Sequence, residues 1–199
     1  MRSIAGIDEA GRGALAGPVV AAIVCCDDVA CIKRIARRKT ASLLRDSKTL
    51  SAAQRVVARE LILSTFEHHA VGLATSQEID AFGIAAANRI AMERALTQVE
   101  PSPDFLLIDA FTIDSGLPQW GIIDGDAKSV LIAAASILAK VARDEMMETF
   151  CGQYQGFSFE RHRGYGTASH LEELQRFGPC EIHRRSFEPV RSLANEVRP

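Results

Sequence analysis

The first 26 residues constrain the fold more than any other part of the chain. Arg2 to Asp8 reads as a strand ending at the turn Gly11-Arg12-Gly13, and Pro18 then opens the apolar, β-branched run Val19 to Cys26, which reads as a second, buried strand. A glycine loop that cradles a nucleotide phosphate must instead lead into a helix, whose N-terminus meets the anion. Strand, turn and strand therefore weigh against a dinucleotide-binding module. The lack of any Gly-Lys-Ser/Thr excludes a P-loop.

Downstream, Ser51-Ala52-Ala53-Gln54, Thr75-Ser76-Gln77-Glu78 and Ser169-His170-Leu171-Glu172 fit the capping box, in which side chains three apart satisfy two orphan backbone donors. They predict a helix running to about Phe66, a short one ending near Gly83, and one in the C-terminal part. A further helix is expected from about Ile84 to Val99. His69 to Ala74 and Phe105 to Asp109 read as strands. Ser129 to about Phe150 reads as the longest helix, with Ala133, Ala134 and Ala135 permitting close approach to a neighbour. This order predicts an α/β fold with a mixed sheet flanked by helices over residues 1–150. Residues 151–199, rich in Gly, Pro, Arg and His after Tyr154, are expected to form a small C-terminal helical extension packed on the same domain.

Composition narrows the function classes. A chain of 199 residues with 47% hydrophobic residues can bury a real core. No apolar run approaches the roughly 20 residues of a membrane helix. Asp8 and Glu9 interrupt any signal-peptide core, so a cytoplasmic address is expected. Five cysteines without a C-x-x-C pair predict inert thiols, not a zinc ribbon or disulfide framework. The formal net charge of −2 conceals a basic block: eight Lys and Arg against the single acid Asp46 between Cys31 and Val56. Such a block suits phosphate or a solvated helix face equally well.

Asp8 and Glu9 end an apolar strand, Asp109 ends another, and Asp126 precedes the longest helix. Adjacent strand residues point to opposite faces, so Asp8 and Glu9 reach one site only if the strand stops there and the glycines turn the chain. Gathered carboxylates need cations, and hard oxygen ligands select Mg²⁺ or Mn²⁺. Two such ions about 4 Å apart can generate a hydroxide and stabilise a leaving oxygen in phosphoryl displacement. Each acid alone could equally be a helix cap or a solvated turn, as Asp27, Asp28, Asp114 and Asp124 are read. Ser136, Lys140 and Arg143 share one helix face and suit a polar stripe toward substrate. Lys140 also suits an i,i+4 pair with Asp144.

The ordered blocks Gly6-Ile7-Asp8-Glu9-Ala10-Gly11-Arg12-Gly13 through Val19, Asp46-Ser47-Lys48-Thr49-Leu50, Ile108-Asp109, Gly125-Asp126 with Ile132 to Lys140, Gly164-Tyr165-Gly166-Thr167 and His183-Arg184-Arg185-Ser186-Phe187 resemble the ribonuclease HII family. The resemblance implies a ribonuclease H-like fold and an endonuclease acting on RNA–DNA hybrids and on ribonucleotides embedded in duplex DNA, cutting 5′ of the ribonucleotide. It implies a two-metal reaction leaving 3′-OH and 5′-phosphate ends, a part in ribonucleotide excision repair, and a monomer. Asp8, Glu9, Asp109 and Asp126 match its acidic metal positions. Gly11, Arg12 and Gly13 match the turn that senses the ribose 2′-OH, and Tyr165 the aromatic that packs on the neighbouring deoxyribose. Lys48, Ser136 and Lys140 are candidate substrate contacts. Tyr154-Gln155-Gly156 departs from the Tyr-Pro of the pattern. Another ribonuclease H-like nuclease (type 3 or structure-specific) and a silent nucleic-acid binder are the remaining readings. Metal-dependent cleavage of a duplex with one ribonucleotide separates them.

Overall fold

A computed structural model describes residues 3–27, 44 and 50–196. Most of the basic block, including Lys48 and the Asp46–Thr49 motif, lies outside the described residues, as do Asp28 and Cys31. Among the described residues five strands form one sheet: β1 (Ile4–Ala10), β2 (Val19–Cys26), β3 (His69–Ala74), β4 (Phe105–Asp109) and β5 (Gln119–Ile122), in the order β3-β2-β1-β4-β5. β1 pairs antiparallel with β2 and parallel with β4, while β3 is antiparallel to β2 and β5 parallel to β4. The sheet is mixed, as expected.

β2 is buried along its whole length because both faces of the sheet are covered. Val19, Ala21, Ile23 and Cys25 enter one core, and Ala22, Val24 and Cys26 the other. The described helices are α1 (Ala52–Leu63), α2 (Ser76–Phe82), α3 (Ile84–Thr97), α4 (Gly125–Lys128), α5 (Val130–Gln153), α6 (Phe159–His162), α7 (Ala168–Phe177) and α8 (Val190–Glu196). α1 and α5 cover one face; α3 covers the other. Ser51 and Thr75 form the two expected capping boxes. The third start is corrected: Thr167, not Ser169, caps α7, its side chain accepting from the His170 N–H.

α5 begins against the middle of β1. A Cβ at Gly6 would lie 2.3 Å from the Leu131 carbonyl carbon, so only glycine admits this approach. Ala133, Ala134 and Ala135 are buried beside it. The helix thus packs across β1 and β2.

The C-terminal part holds three described helices where the sequence suggested one. Phe157, Phe159, Leu174, Ile182 and Val190 pack with Leu15, Ala16 and Met147 in a third apolar cluster. Within it runs a chain of histidines. The Cys180 N–H donates to His183 Nδ1 (3.0 Å), the two Nε2 atoms of His183 and His170 lie 3.0 Å apart, and His170 Nδ1 faces the Tyr165 carbonyl at 3.0 Å. This arrangement is satisfied by neutral rings: one Nε2 donates, the other accepts, and His170 Nδ1–H donates to Tyr165. Burial, reinforced by neighbouring histidines, lowers His170 to about 4 and His183 to about 3. Protonation would set two N–H groups against each other.

An acid-sensitive C-terminal part follows. Folded pKa values below the ordinary 6.5 mean that the unfolded chain binds more protons between those limits. The stabilisation is complete above about pH 6.5 and is lost as pH falls toward 4. Thermal melts followed by near-ultraviolet circular dichroism should show a falling midpoint over that range. A His170→Gln/His183→Gln double variant should flatten the dependence; an unchanged slope would remove the histidines as its cause.

Candidate active site

Asp8 lies near the end of β1 on the face covered by α5 and is 6% exposed. The strand does not stop there. β1 continues through Ala10 in register with β2, Asp8 opposite Ala22 and Glu9 opposite Ala21. Glu9 therefore leaves from the other face, toward Asn88 of α3, and the expectation that the strand ends to aim both acids alike is corrected. The Glu9 N–H donates to Asp8 Oδ1 at 2.7 Å, and Arg12 donates to Glu9 Oε1 at 3.4 Å. Glu9 Oε2 is buried without a partner among the described residues.

Asp109 ends the neighbouring parallel strand, where its Oδ1 accepts the Gly125 N–H at 2.6 Å. The next residue, Asp126, is buried in the single turn α4, held by a left-handed Asp124 (φ 54°). It lines a concavity with Lys128, Ser129 and Ala133.

The acids act on one another. Asp8 is pushed up to about 8, first by burial, then by the charge of Glu9, with Asp109 adding to it; the Ser136 hydroxyl and the Glu9 N–H oppose the rise. Burial also raises Glu9, against the pull of Arg12 and Asn88, and Asp109 again adds to the rise. Asp8, Glu9 and Asp109 thus form one electrostatic group at the end of the sheet. Among the described residues, however, no three His, Cys, Asp or Glu side chains converge as a ready-made metal-holding group. The donor chemistry still fits a hard cation. All the groups are carboxylate oxygens, Glu9 Oε2 is buried and orphaned, and their mutual repulsion is the cost a dication would relieve.

A cleft of about 290 Å³ opens beside them, lined by Glu9, Gly11, Arg55, Ser136, Lys140 and Tyr165 among others. It joins the β1 end, the glycine turn, α5 and the loop after α6. Lys140 pairs with Asp144 at 3.6 Å, and burial lowers its pKa. Arg55 contributes from α1; the sequence showed it only as one base in a basic block. Its guanidinium donates to the Leu50 carbonyl and lies 3.8 Å from Asp144.

Arg143 is not a substrate-facing member of the stripe with Ser136 and Lys140. It is 1% exposed and donates to the carbonyls of Pro18 (3.0 Å), Ala16 (3.0 Å) and Arg163 (2.9 Å), with the Tyr165 ring 5.2 Å away. Arg184, fully buried, donates to Gly17 (3.0 Å), Arg12 (2.8 Å) and Gly11 (2.7 Å). Burial, with the charge of Arg143, lowers Arg184 to about 9, leaving it a cation at neutral pH. Two buried guanidiniums therefore organise the turn through backbone carbonyls.

The fold is that of known ribonuclease H2 structures: the enzyme from Pyrococcus horikoshii OT3 superposes with a TM-score of 0.80 at 25% identity, over 98% of each chain. A family model for ribonuclease HII matches residues 5–190. Ribonuclease HII of Geobacillus sp. (strain WCH70) is 47% identical over 96% of this chain, which spans 65% of that protein. Ribonuclease HII of Chlamydia trachomatis serovar A is 45% identical over 97% of this chain and 85% of that protein. The chain belongs to the ribonuclease HII family, a class of ribonuclease H enzymes.

The two outer glycines of the turn should separate experimentally. Gly11 has φ +92°, and a Cβ there would lie 2.0 Å from Arg143 Nε. Gly11→Ala should cost at least about 1–2 kcal/mol in urea denaturation, from the backbone alone. A Cβ at Gly13 would meet nothing within 4 Å. Gly13→Ala should therefore leave the denaturation midpoint nearly unchanged. Equal losses at both positions would contradict the geometry.

Proposed function

We propose that the chain hydrolyses the RNA strand of RNA–DNA hybrids and cuts 5′ of ribonucleotides embedded in duplex DNA, leaving 3′-OH and 5′-phosphate ends. The observation that carries this reading is the mutually repelling acid group of Asp8, Glu9 and Asp109 beside a cleft that also presents Gly11, Ser136, Lys140 and Tyr165. Family membership supports the same reading.

Asp8, Glu9, Asp109 and Asp126 would hold the divalent cation, Mg²⁺ or Mn²⁺, which supplies Lewis-acid chemistry and a low-pKa water when bound. Lys140 and Arg55 place positive charge in the cleft to meet the sugar–phosphate backbone. Ser136, which lines the cleft, favours the charged form of the Asp8 carboxylate. The turn at Gly11-Arg12-Gly13 approaches the ribose, whose 2′-OH is the group that separates RNA from DNA. Arg12 donates to Glu9 and lies over the Phe111 ring, its guanidinium carbon 4.6 Å from the ring centre. Tyr165, its carbonyl tied to His170 and its ring beside Arg143, offers a face to the adjoining deoxyribose. Residues 151–199 act as an extension packed on the catalytic unit at 1–150, a reading supported by the apolar cluster that joins Leu15 and Met147 to Phe157 and Leu174. No helix among the described residues is long and apolar enough to cross a membrane.

A labelled DNA duplex with one ribonucleotide, incubated with Mg²⁺ or Mn²⁺, tests the activity. Cleavage 5′ of the ribonucleotide is expected; binding without cutting would instead mark a silent nucleic-acid binder. Asp8→Asn should lower the rate by about 10³-fold or more, on the scale of losing a central electrostatic group, while duplex affinity in a gel-shift titration holds. Retained turnover would remove Asp8 from the site. Tyr165→Ala should slow cutting at a single ribonucleotide by about tenfold or more, at the upper end of stacking energies, without lowering the melting temperature comparably. Unchanged junction cleavage would contradict the stacking role.

A further inference from the structure

We infer that Arg184 is a positioning residue for ribose recognition: by holding the carbonyls of Gly11 and Arg12, it turns the N–H groups of Arg12 and Gly13 outward as a pair of donors for the 2′-oxygen. The inference rests on the proposed role of this turn in sensing the 2′-OH and adds how the turn is set.

Peptide units are planar and trans, so a carbonyl and the following N–H point in opposite directions. The Gly11 and Arg12 carbonyls both point to Arg184, its Nη2 and Nη1 lying 2.7 and 2.8 Å away. The N–H groups of Arg12 and Gly13 must then point away from the buried guanidinium. Neither has a hydrogen-bond partner among the described residues. Two successive outward N–H groups form a concavity suited to an oxygen carrying lone pairs. The third donor, Nε, takes the Gly17 carbonyl at 3.0 Å and so spans the loop from both ends.

Arg184 has no carboxylate within ion-pair distance among the described residues. A buried cation is costly without compensation, and here its hydrogen-bond partners are backbone carbonyls, with the Phe187 ring 5.2 Å away and Asp80 and Tyr165 adding favourable charge. The planar fork matters because its donors are fixed in direction. A lysine would carry the charge without holding three carbonyls at once. Arg143 complements it by joining Ala16 and Pro18 to Arg163, two residues before Tyr165. The chain itself fixes the element: the Arg184 N–H donates to the Leu15 carbonyl at 2.8 Å, and Ala16 bridges His183. Replacing the side chain therefore leaves the backbone docking in place.

The test compares Arg184→Lys and Arg184→Met with the wild-type full chain on three duplexes, whose central residue is ribo, 2′-fluoro or 2′-deoxy. The wild type should prefer the ribose strongly. Both variants should lose about tenfold or more in kcat on the ribose duplex with KM within about twofold, the pattern of an interaction made in the transition state. They should also narrow the preference of ribose over 2′-fluoro, with lysine no better than methionine. A loss of equal proportion on every substrate would mean only reduced folding, and would overturn the inference. Should the wild type fail to prefer ribose over 2′-fluoro, the sensing role of the turn falls first, whatever the variants do.

A second measurement needs no variant. Amide resonances of Arg12 and Gly13 in the wild-type protein, titrated without added divalent metal, should move with the ribonucleotide duplex and not with the all-DNA duplex. Identical shifts with both would overturn the inference.

Discussion

Carboxyl groups held close together out of water are the constraint on which the rest of this molecule depends. Asp8 reaches about 8 because burial and the charge of Glu9 both oppose its ionisation. Such a group would disperse unless the backbone forbade it. Pairing of β1 with β2 and β4 fixes Asp8 and Asp109 on neighbouring strands, and two backbone N–H groups, from Glu9 and Gly125, each tie one carboxylate oxygen. The sheet and α5 supply rigidity, and Gly6 lets the helix sit low against β1, where Ser136 favours the charged form of Asp8.

The second organising feature is cationic and equally buried. Arg143 and Arg184 sit beneath the turn that follows β1, and each donates three hydrogen bonds to main-chain carbonyls. Unpaired charges would be destabilising there; satisfied in this way they specify one conformation of an otherwise permissive glycine loop. The C-terminal segment is thereby physically part of the candidate site. It supplies Arg184, the histidine chain that holds Tyr165, and the apolar cluster that keeps both against α5.

Much of this was legible in the sequence where a local rule applies. The β-branched run of β2, the capping boxes at Ser51 and Thr75, and the strand ends at Asp109 and Ala74 fall where periodicity and capping chemistry place them. β5 was missed because it has only four residues, with Trp120 67% exposed on its outer side and little apolar pattern to read. α4 is a single turn started by a left-handed aspartate, which carries no helix signal. In α7, Ser169 imitates a cap, but Thr167 takes the His170 N–H first. Among the site residues, the four acids and the cleft-lining Gly11, Ser136, Lys140 and Tyr165 were named from motifs. The opposite facing of Asp8 and Glu9 follows from pairing that continues to Ala10, a tertiary fact. Arg143 and Arg184 look like surface or substrate bases in a sequence, because nothing local reveals convergence of carbonyls from residues more than a hundred positions away.

Titration calorimetry with Mn²⁺, on the native protein and on Asp109→Asn, addresses the central proposal most directly. Carboxylates that repel one another at the end of the sheet should bind the cation saturably, and removing one charge should weaken binding by about tenfold or more, about the 1.4 kcal/mol expected of one close charge partner. Identical isotherms for the two proteins would contradict a cation held by this acid group.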